Sequence, residues 1–444
     1  MFAKFNLSKF CLALALSQVL FIVYGALYWS LTHRLPPPFF YDVYDTFMDF
    51  YHTNFWAKMS GRYQDWHSIY PIFTFWLGQH FSSAQCIDVA DAFSLRVCSP
   101  ESIWLLLGAY VIGSVIAAWL AVRNLPLSTF GCGWRVLVIG FTVLMTSPSL
   151  FAIERGNYIL LAFTFIALSE WMGRNWRGAL FLALAINLKQ YLVVLWLVPL
   201  LKRRYDYLIM SILFALVINQ LAMIVVADGH YGMLFENMFG FANISTSAFF
   251  EKMWYATSFS SWASVIGVDS KIEQYFSPGT FRMLRFVLDS CRWLSLGLAL
   301  ASVLVAILNS RYFNWEEVSL IILVALMVMV GSVGGYAAVL LTPFMMRPLH
   351  QGKLTHLLPL LFLFATPLDI PLGPSRTWVQ ISYLTGQPIE QLATVTLGMY
   401  LRPVLLVLLL VGLIYPVLKQ RSNILGRDNF SIFPVNKKRI RSIE

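Results

Sequence analysis

The segment "DVYDTFMDFYH" places Asp42, Asp45 and Asp49 at i, i+3 and i+7, among aromatic residues and shortly after the apolar run that opens the chain. Read as one helix following the Pro36 to Pro38 stop, that spacing puts three carboxylates on a single face. A carboxylate so placed can take the proton of a hydroxyl, orient that hydroxyl, or hold a cation. From spacing alone the plainer reading is a surface helix with a solvated acidic face, its Phe47, Phe50, Tyr51 and Phe55 bedded in a membrane interface. Cationic groups stand in equally unusual settings. Lys189 lies in the middle of "ALFLALAINLKQYLVVLWLVPLL", where an ammonium is costly unless it faces a polar cavity, a ligand or a partner. Snorkelling, or pairing with a structural acid, is its plainer alternative. In "AIERGN", Arg155 and Asn157 stand at a helix entrance, where capping and topology compete with substrate contact. "TPFMMRPLHQGKLTHLLP" adds Arg347, His350, Lys353 and His356, and a lone histidine in such a loop is more often structural than catalytic.

The elements that must carry these groups are apolar. The chain has 444 residues, 58% of them hydrophobic and only 12% charged, with several apolar runs near twenty residues long, which excludes an ordinary soluble protein. Unpaired backbone is intolerable in lipid and the runs are too long for barrel strands, so the spans are expected to be helices. The fold class is an all-α polytopic integral membrane protein of about 10–12 transmembrane or re-entrant segments, one domain over 1–420 followed by a basic tail, 421–444. A net charge of +10 does not signal nucleic acid here, because Lys4, Lys9, Arg174, Arg177, Lys202 to Arg204 and Lys437 to Arg441 flank apolar runs, as the positive-inside rule requires.

On that rule Phe10 to Leu31 is a retained first helix rather than a signal peptide, and residues 32–100 form a long external loop. Further spans are expected at 103–122, 136–150 and 158–171. The segment 179–204 is long enough for one crossing, but with basic residues at both ends a broken or re-entrant pair of half-helices meeting near Lys189 satisfies the charge rule better. Residues 206–227 then lead to a second external loop, 228–282, rich in aromatic and small polar residues. Spans at 283–308, 316–335, 353–370 and 394–417 leave the basic tail on the wrong side, so one segment between 330 and 392 must be short or re-entrant. Cys86 and Cys98 share the first loop, and whether they pair is left open. There is no glycine-rich phosphate loop, zinc-spaced histidine pair or seryl nucleophile elbow, and no obvious internal repeat. No cofactor or metal ligand set is called for, and a divalent cation at the aspartates is allowed but not indicated.

An enzyme with its polar loops outside the cell has no nucleotide-activated donor, so its donor must arrive through the membrane. A lipid-linked phosphosugar meets that need. Its phosphate departs without a proton, so transfer to an alcohol needs one carboxylate base rather than an acid and base pair, together with cations to hold the phosphate.

Four stretches stand in an order that resembles the family 87 glycosyltransferases. They are "DFYHTNFWAKMSGRYQDWHSIYPIFTFWLG", "ERGNYILLAFTFIALSEWMGRNWRG", "ALFLALAINLKQY", and the region from Thr342-Pro343 to Leu358-Pro359. The resemblance covers roughly residues 40 to 360 and implies a GT-C-type helical bundle using polyprenyl-phosphate sugars, mannose favoured, at the periplasmic or extracellular face of a bacterial cytoplasmic (inner) membrane. It implies Asp49 as the base with Asp45 as its substitute, and Lys189, Arg155 and Asn157 at the donor phosphate. Tyr51, His52, Tyr70, Tyr191 and His350 are further substrate-site candidates. The implied partners are membrane lipid, a polyprenyl-phosphate-linked sugar, and a glycan or glycolipid acceptor. Leu192 follows Tyr191 where the family's pattern has proline. The alternatives carried beside this are a polysaccharide polymerase or ligase, and a lipid-linked-sugar flippase or transporter.

Overall fold

The computed structural model describes residues 7–32, 36, 46–81, 84–86, 88–122, 132–226, 230–244, 257–259, 277–330, 335–367 and 370–428. Among these, five helices are long and apolar enough to cross a bilayer unaided: Leu12–Thr32, Pro100–Val122, Tyr205–Val226, Pro278–Leu308 and Tyr400–Lys419. Leu213, Leu216, Ile224, Leu294 and Leu304 on their outer faces are each more than half exposed. Such a belt is a liability in water and costs nothing in hydrocarbon. The chain is a predominantly helical, multi-pass membrane protein.

A short helix, Ile159–Met172, lies at the centre with most of its side chains buried. Helix Ile103–Val122 comes close to it because Gly113 has no side chain; a Cβ there would lie 2.6 Å from the Thr164 hydroxyl oxygen. Thr164 itself donates to Ala109 O and Leu160 O, so its hydroxyl is satisfied inside the contact. Asn157 precedes one end of this helix and Glu170 and Arg174 mark the other. At 1.5 Å per residue the two ends are about 20 Å apart, which defines an Asp49 end and an Arg174 end of the molecule.

Several passes are broken. The expected span 136–150 is two helices, Cys132–Leu144 and Ser147–Arg155, bent by 61° between Arg135–Leu144 and Ser147–Arg155. Pro148 sits in the first turn of the second helix, where its missing N–H is no loss, while Thr146 and Ser149 hydroxyls bond back to Val143 O. Helix Trp176–Leu188 rises to Lys189 and a 3-10 turn with helix Leu197–Leu201 returns. Both outer ends lie together, Arg204 Nη2 donating to Arg174 O at 2.7 Å, so this is the re-entrant pair that the flanking charges required.

The ambiguous segment between 330 and 392 resolves in the same way. A 3-10 stretch, Gly335–Leu341, continues into helix Thr342–His350, running from the Asp49 end to the Arg174 end. Pro343 and Pro348 interrupt its apolar pattern, which is why it does not read as a span. Only Leu358–Ala365 of the expected span 353–370 is helical in the α sense. An antiparallel hairpin follows, Pro371–Ile381 with Pro388–Thr396, pairing Trp378 with Gln391 and Ile381 with Pro388. It departs from the all-α expectation. Helix Leu397–Asp428 then runs toward the Arg174 end, His356 meeting Gly412 O on the way.

The first loop is a packed subdomain at the Asp49 end. It holds helices Met48–Trp56, Ile72–Phe81 and Ala92–Cys98, and a Cys86–Cys98 disulfide, Cα–Cα 5.9 Å, ties the turn after the second helix to the end of the third. Phe50, Tyr51 and Phe55 are buried inside it, Phe50 stacking on Tyr158, rather than bedded in a membrane interface as expected. Asn237, on helix Met233–Ile244 of the second loop, donates to Tyr63 O and Ser68 O and so fastens the two loops together.

Candidate functional site

Asp49 sits in the first turn of helix Met48–Trp56, which starts there because Phe47 is left-handed, φ 63°. That conformation is strained for a side chain with a Cβ and must be held by its surroundings. Phe47 N–H donates to Glu154 O at 2.8 Å, Arg96 Nη1 donates to Thr46 O at 2.6 Å, and the Phe47 ring meets Tyr383 edge-on. The described helix therefore begins after Phe47, with Asp49 in its first turn. Asp42 and Asp45 lie outside the described residues.

The Asp49 carboxylate accepts from Arg155 Nη2 at 3.1 Å on one oxygen and from Asn157 Nδ2 at 2.7 Å on the other. Both donors come from the "ERGN" turn. Gly156 ends helix Ser147–Arg155 with φ +61°, and a Cβ there would press within 3.1 Å of Phe47 Cα. Glycine thus permits both the left-handed turn and the close approach that brings Arg155 and Asn157 onto Asp49. Asn157 Oδ1 accepts from Ile159 N–H at 3.0 Å, so the same amide supports the next helix and binds Asp49. Capping and site contact, posed as alternatives by the sequence, are both made.

Lys189 lies at the break between the half-helices with extended backbone, buried, its Nζ 4.2 Å from the Tyr70 ring centroid. An ammonium over an aromatic face gains electrostatic attraction where water is excluded. Gln190 Nε2 donates to Ile69 O at 2.5 Å and Thr74 Oγ1 to Leu188 O at 3.3 Å, fixing the break against the first loop. The Tyr70 hydroxyl accepts from Asn157 Nδ2 at 3.3 Å, and Tyr63 donates to Tyr70 O.

Tyr336 completes the group. It lies near Asn157, Asp49 and Arg155, and its ring packs on Phe151. Tyr191 lies beside it. Sequence reasoning passed over Tyr336; its signal was a phenol following two glycines at the head of an apolar run, "GGYAAVLL".

Burial alone pushes the Asp49 carboxyl up, but the Arg155 guanidinium, the Asn157 amide and the Lys189 ammonium outweigh it and hold the group below its ordinary value. It is a carboxylate at neutral pH. The cluster thus combines one ionised acid with a guanidinium, an ammonium, an amide and phenols, a set suited to a hydroxyl and an anion side by side.

The other candidates are elsewhere. The Tyr51 hydroxyl is committed to the carbonyls of Ser99 and Pro100, at 3.0 and 3.1 Å. His52 stacks on Trp56 and meets Phe93 edge-on; burial lowers its pKa against the opposing pull of Asp49. His350, of which only the backbone is described, ends a helix whose Arg347 pairs with Glu316 at the Arg174 end. The descending path of 335–350 carries it there, about 20 Å from Asp49 by the length of helix Ile159–Met172. Among the described residues no three His, Cys, Asp or Glu side chains converge to hold a metal ion.

No family model, curated protein or solved structure matches the chain.

Proposed function

We propose that this chain is a membrane-embedded inverting glycosyltransferase that moves a hexose or pentose, mannose-like favoured, from a polyprenyl-phosphate donor to a hydroxyl of a cell-envelope glycan or glycolipid. The observation that carries the reading is the convergence of Asp49, Arg155, Asn157, Tyr70 and Lys189 from four separated stretches into one cluster. The order of the quoted motifs supports a GT-C-type enzyme of the family 87 kind. The gathering of Arg174, Arg177, Lys202 and Arg204 at the far end supports a cytoplasmic Arg174 end and an Asp49 end on the outer face of a bacterial inner membrane. The disulfide in the first loop suits that oxidising side.

In this reaction the Asp49 carboxylate takes the proton of the acceptor hydroxyl. The acceptor oxygen attacks the anomeric carbon from the face opposite the phosphate, forming the new glycosidic bond as the bond from that carbon to the phosphate oxygen breaks. Polyprenyl phosphate leaves as an anion, and the configuration inverts. Arg155 and Lys189 hold that phosphate and offset its growing charge. In the resting site Arg155 is spent on Asp49 at 3.1 Å, which makes the acid a weak base. An arriving phosphate competes for the guanidinium, and as Arg155 turns to it the carboxylate recovers basicity when the donor is in place.

The experiment is transfer by the purified protein in lipid nanodiscs, with a panel of labelled polyprenyl-phosphate hexoses and pentoses and an envelope glycolipid extract as acceptor. Labelled acceptor and free polyprenyl phosphate, both lost in Asp49→Asn, are expected. Turnover of diphosphate-linked oligosaccharide instead would point to a polymerase or ligase, and movement of the intact donor across the bilayer to a flippase.

A further inference from the structure

At the Arg174 end, about 20 Å from Asp49 along helix Ile159–Met172, charged residues surround a cavity of ≈ 500 Å³. Four cations line it, Arg174, Lys202, Arg347 and Lys353, against two carboxylates, Glu170 and Glu316. The acids are spoken for. Glu170 gives both oxygens to Arg174, at 2.9 and 2.6 Å, and Glu316 is shared by Arg347 at 3.1 Å and Arg174 at 3.6 Å. Lys202 donates to the carbonyls of Ser310 and Phe313, contacts that leave its charge without a bonded carboxylate. Lys353 reaches Glu317 only at 3.8 Å, while Glu317 is engaged in capping helix Trp315–Met329. The cavity therefore keeps an excess of positive charge, with Arg347 and Lys353 about half exposed to it and to solvent.

Its surroundings say what level of the membrane it occupies. Trp171, Trp176, Tyr205 and Tyr312 stand partly exposed on the turns around it, the arrangement aromatic side chains adopt at head-group depth. Basic pockets between helices at that depth recognise lipid phosphates, and the volume is that of a small-molecule site rather than of a single ion.

We propose that this cavity binds a phosphate-bearing anion, with Arg347 and Lys353 as direct donors and Arg174, held by Glu170 over the Trp315 ring, as a fixed wall. The head group of an anionic phospholipid in the adjoining leaflet is its source. The site does not depend on the reaction assigned to Asp49.

The test measures binding to the full-length protein in neutral detergent, using short-chain phosphatidylglycerol, short-chain phosphatidylcholine, glycerol phosphate and inorganic phosphate. Phosphatidylglycerol should bind about 10-fold or more tightly than phosphatidylcholine, and its affinity should fall as salt rises. Lys353→Gln should weaken it about 10-fold and Arg347→Gln with Lys353→Gln about 100-fold, one charge-assisted contact per step. Glycerol phosphate binding as tightly as the lipid would keep the phosphate site and assign it to a soluble ligand. Equal binding of the two lipids, or unchanged affinity in Lys353→Gln, overturns the proposal. That single change removes a half-exposed side chain and leaves the Glu170–Arg174 pair in place, so it decides the matter even if the double variant fails to fold.

Discussion

Replacing Asp49 with asparagine separates chemistry from architecture, because the two costs can be worked out independently. The carboxylate meets two donors, Arg155 Nη2 at 3.1 Å and Asn157 Nδ2 at 2.7 Å. An amide at 49 offers one acceptor oxygen, so its NH2 must face one of those donors. Asn157 cannot turn over to accept, since its Oδ1 already takes Ile159 N–H. One donor is left unmet, at a cost of about 1–3 kcal/mol, and thermal melting should fall by a few degrees without loss of the folded state. Removing the base should lower kcat by about 10²–10⁴-fold with the apparent affinity for polyprenyl-phosphate sugar largely kept. Acid behaviour adds a signature. Because the folded carboxyl titrates below its ordinary value near 3.8, its stabilisation is present above that value and is lost as pH falls through the lower folded value. Wild type should therefore lose stability in that acid window, and Asp49→Asn should lack that part of the decline. Transfer kinetics at neutral pH and melts from neutral to acid measure all three. Near-normal turnover by Asp49→Asn, or collapse of its folded state at neutral pH, would refute the assignment.

Lys189→Met should weaken transfer chiefly by raising KM for the donor, while melting holds steady or rises, because a buried ammonium is exchanged for an apolar chain of similar length; donor titrations and melts read this. Gly156→Ala should cost about 1–2 kcal/mol for the left-handed backbone alone and more for the contact with Phe47, and should reduce kcat through displacement of Arg155 and Asn157. Replacing Cys86 and Cys98 together by serine should destabilise the first loop by about 2–4 kcal/mol, visible as protease sensitivity within 46–98 and matched by reductant treatment of wild type. Tyr336→Phe should keep the fold and lower turnover by less than Asp49→Asn, since the Phe151 contact remains and only the hydroxyl beside Asn157 is removed.

How far the sequence carried can be read from particular residues. The re-entrant pair around Lys189 was legible because two basic ends and a central lysine leave one arrangement that satisfies the charge rule. Asp49, Arg155, Asn157, Tyr70 and Lys189 were legible as a set through their motif order, although nothing local says that Arg155 and Asn157 grip the acid directly. The left-handed turn at Phe47, which opens the helix of Asp49, was not legible because such a phenylalanine has no sequence signature; tertiary contacts to Glu154 and Tyr383 impose it. The position of His350 at the Arg174 end was not legible, because a 3-10 stretch followed by a helix with two prolines hides a full pass through the molecule. The hairpin at 371–396 was not legible because its apolar residues resemble those of a span, and Gly386, which takes the left-handed turn at φ +67°, is a weak signal by itself.

The break at Lys189 also bears on how the protein is made. Neither Trp176–Leu188 nor Gln190–Leu201 is long enough to cross a bilayer, and between them the helical ladder is interrupted. Released alone into lipid, such a hairpin would expose open backbone groups and an ammonium to hydrocarbon, a state the bilayer does not tolerate. Its partners are Tyr70 and Ile69 on the preceding side of the chain, and Ala215 and Ser211, which are translated later and receive Asn187 and Trp196. Residues 176–201 are therefore expected to need shielding until helix Tyr205–Val226 has entered, which cross-linking of stalled nascent chains would test. On that expectation, assembly around Lys189 runs out of strict chain order.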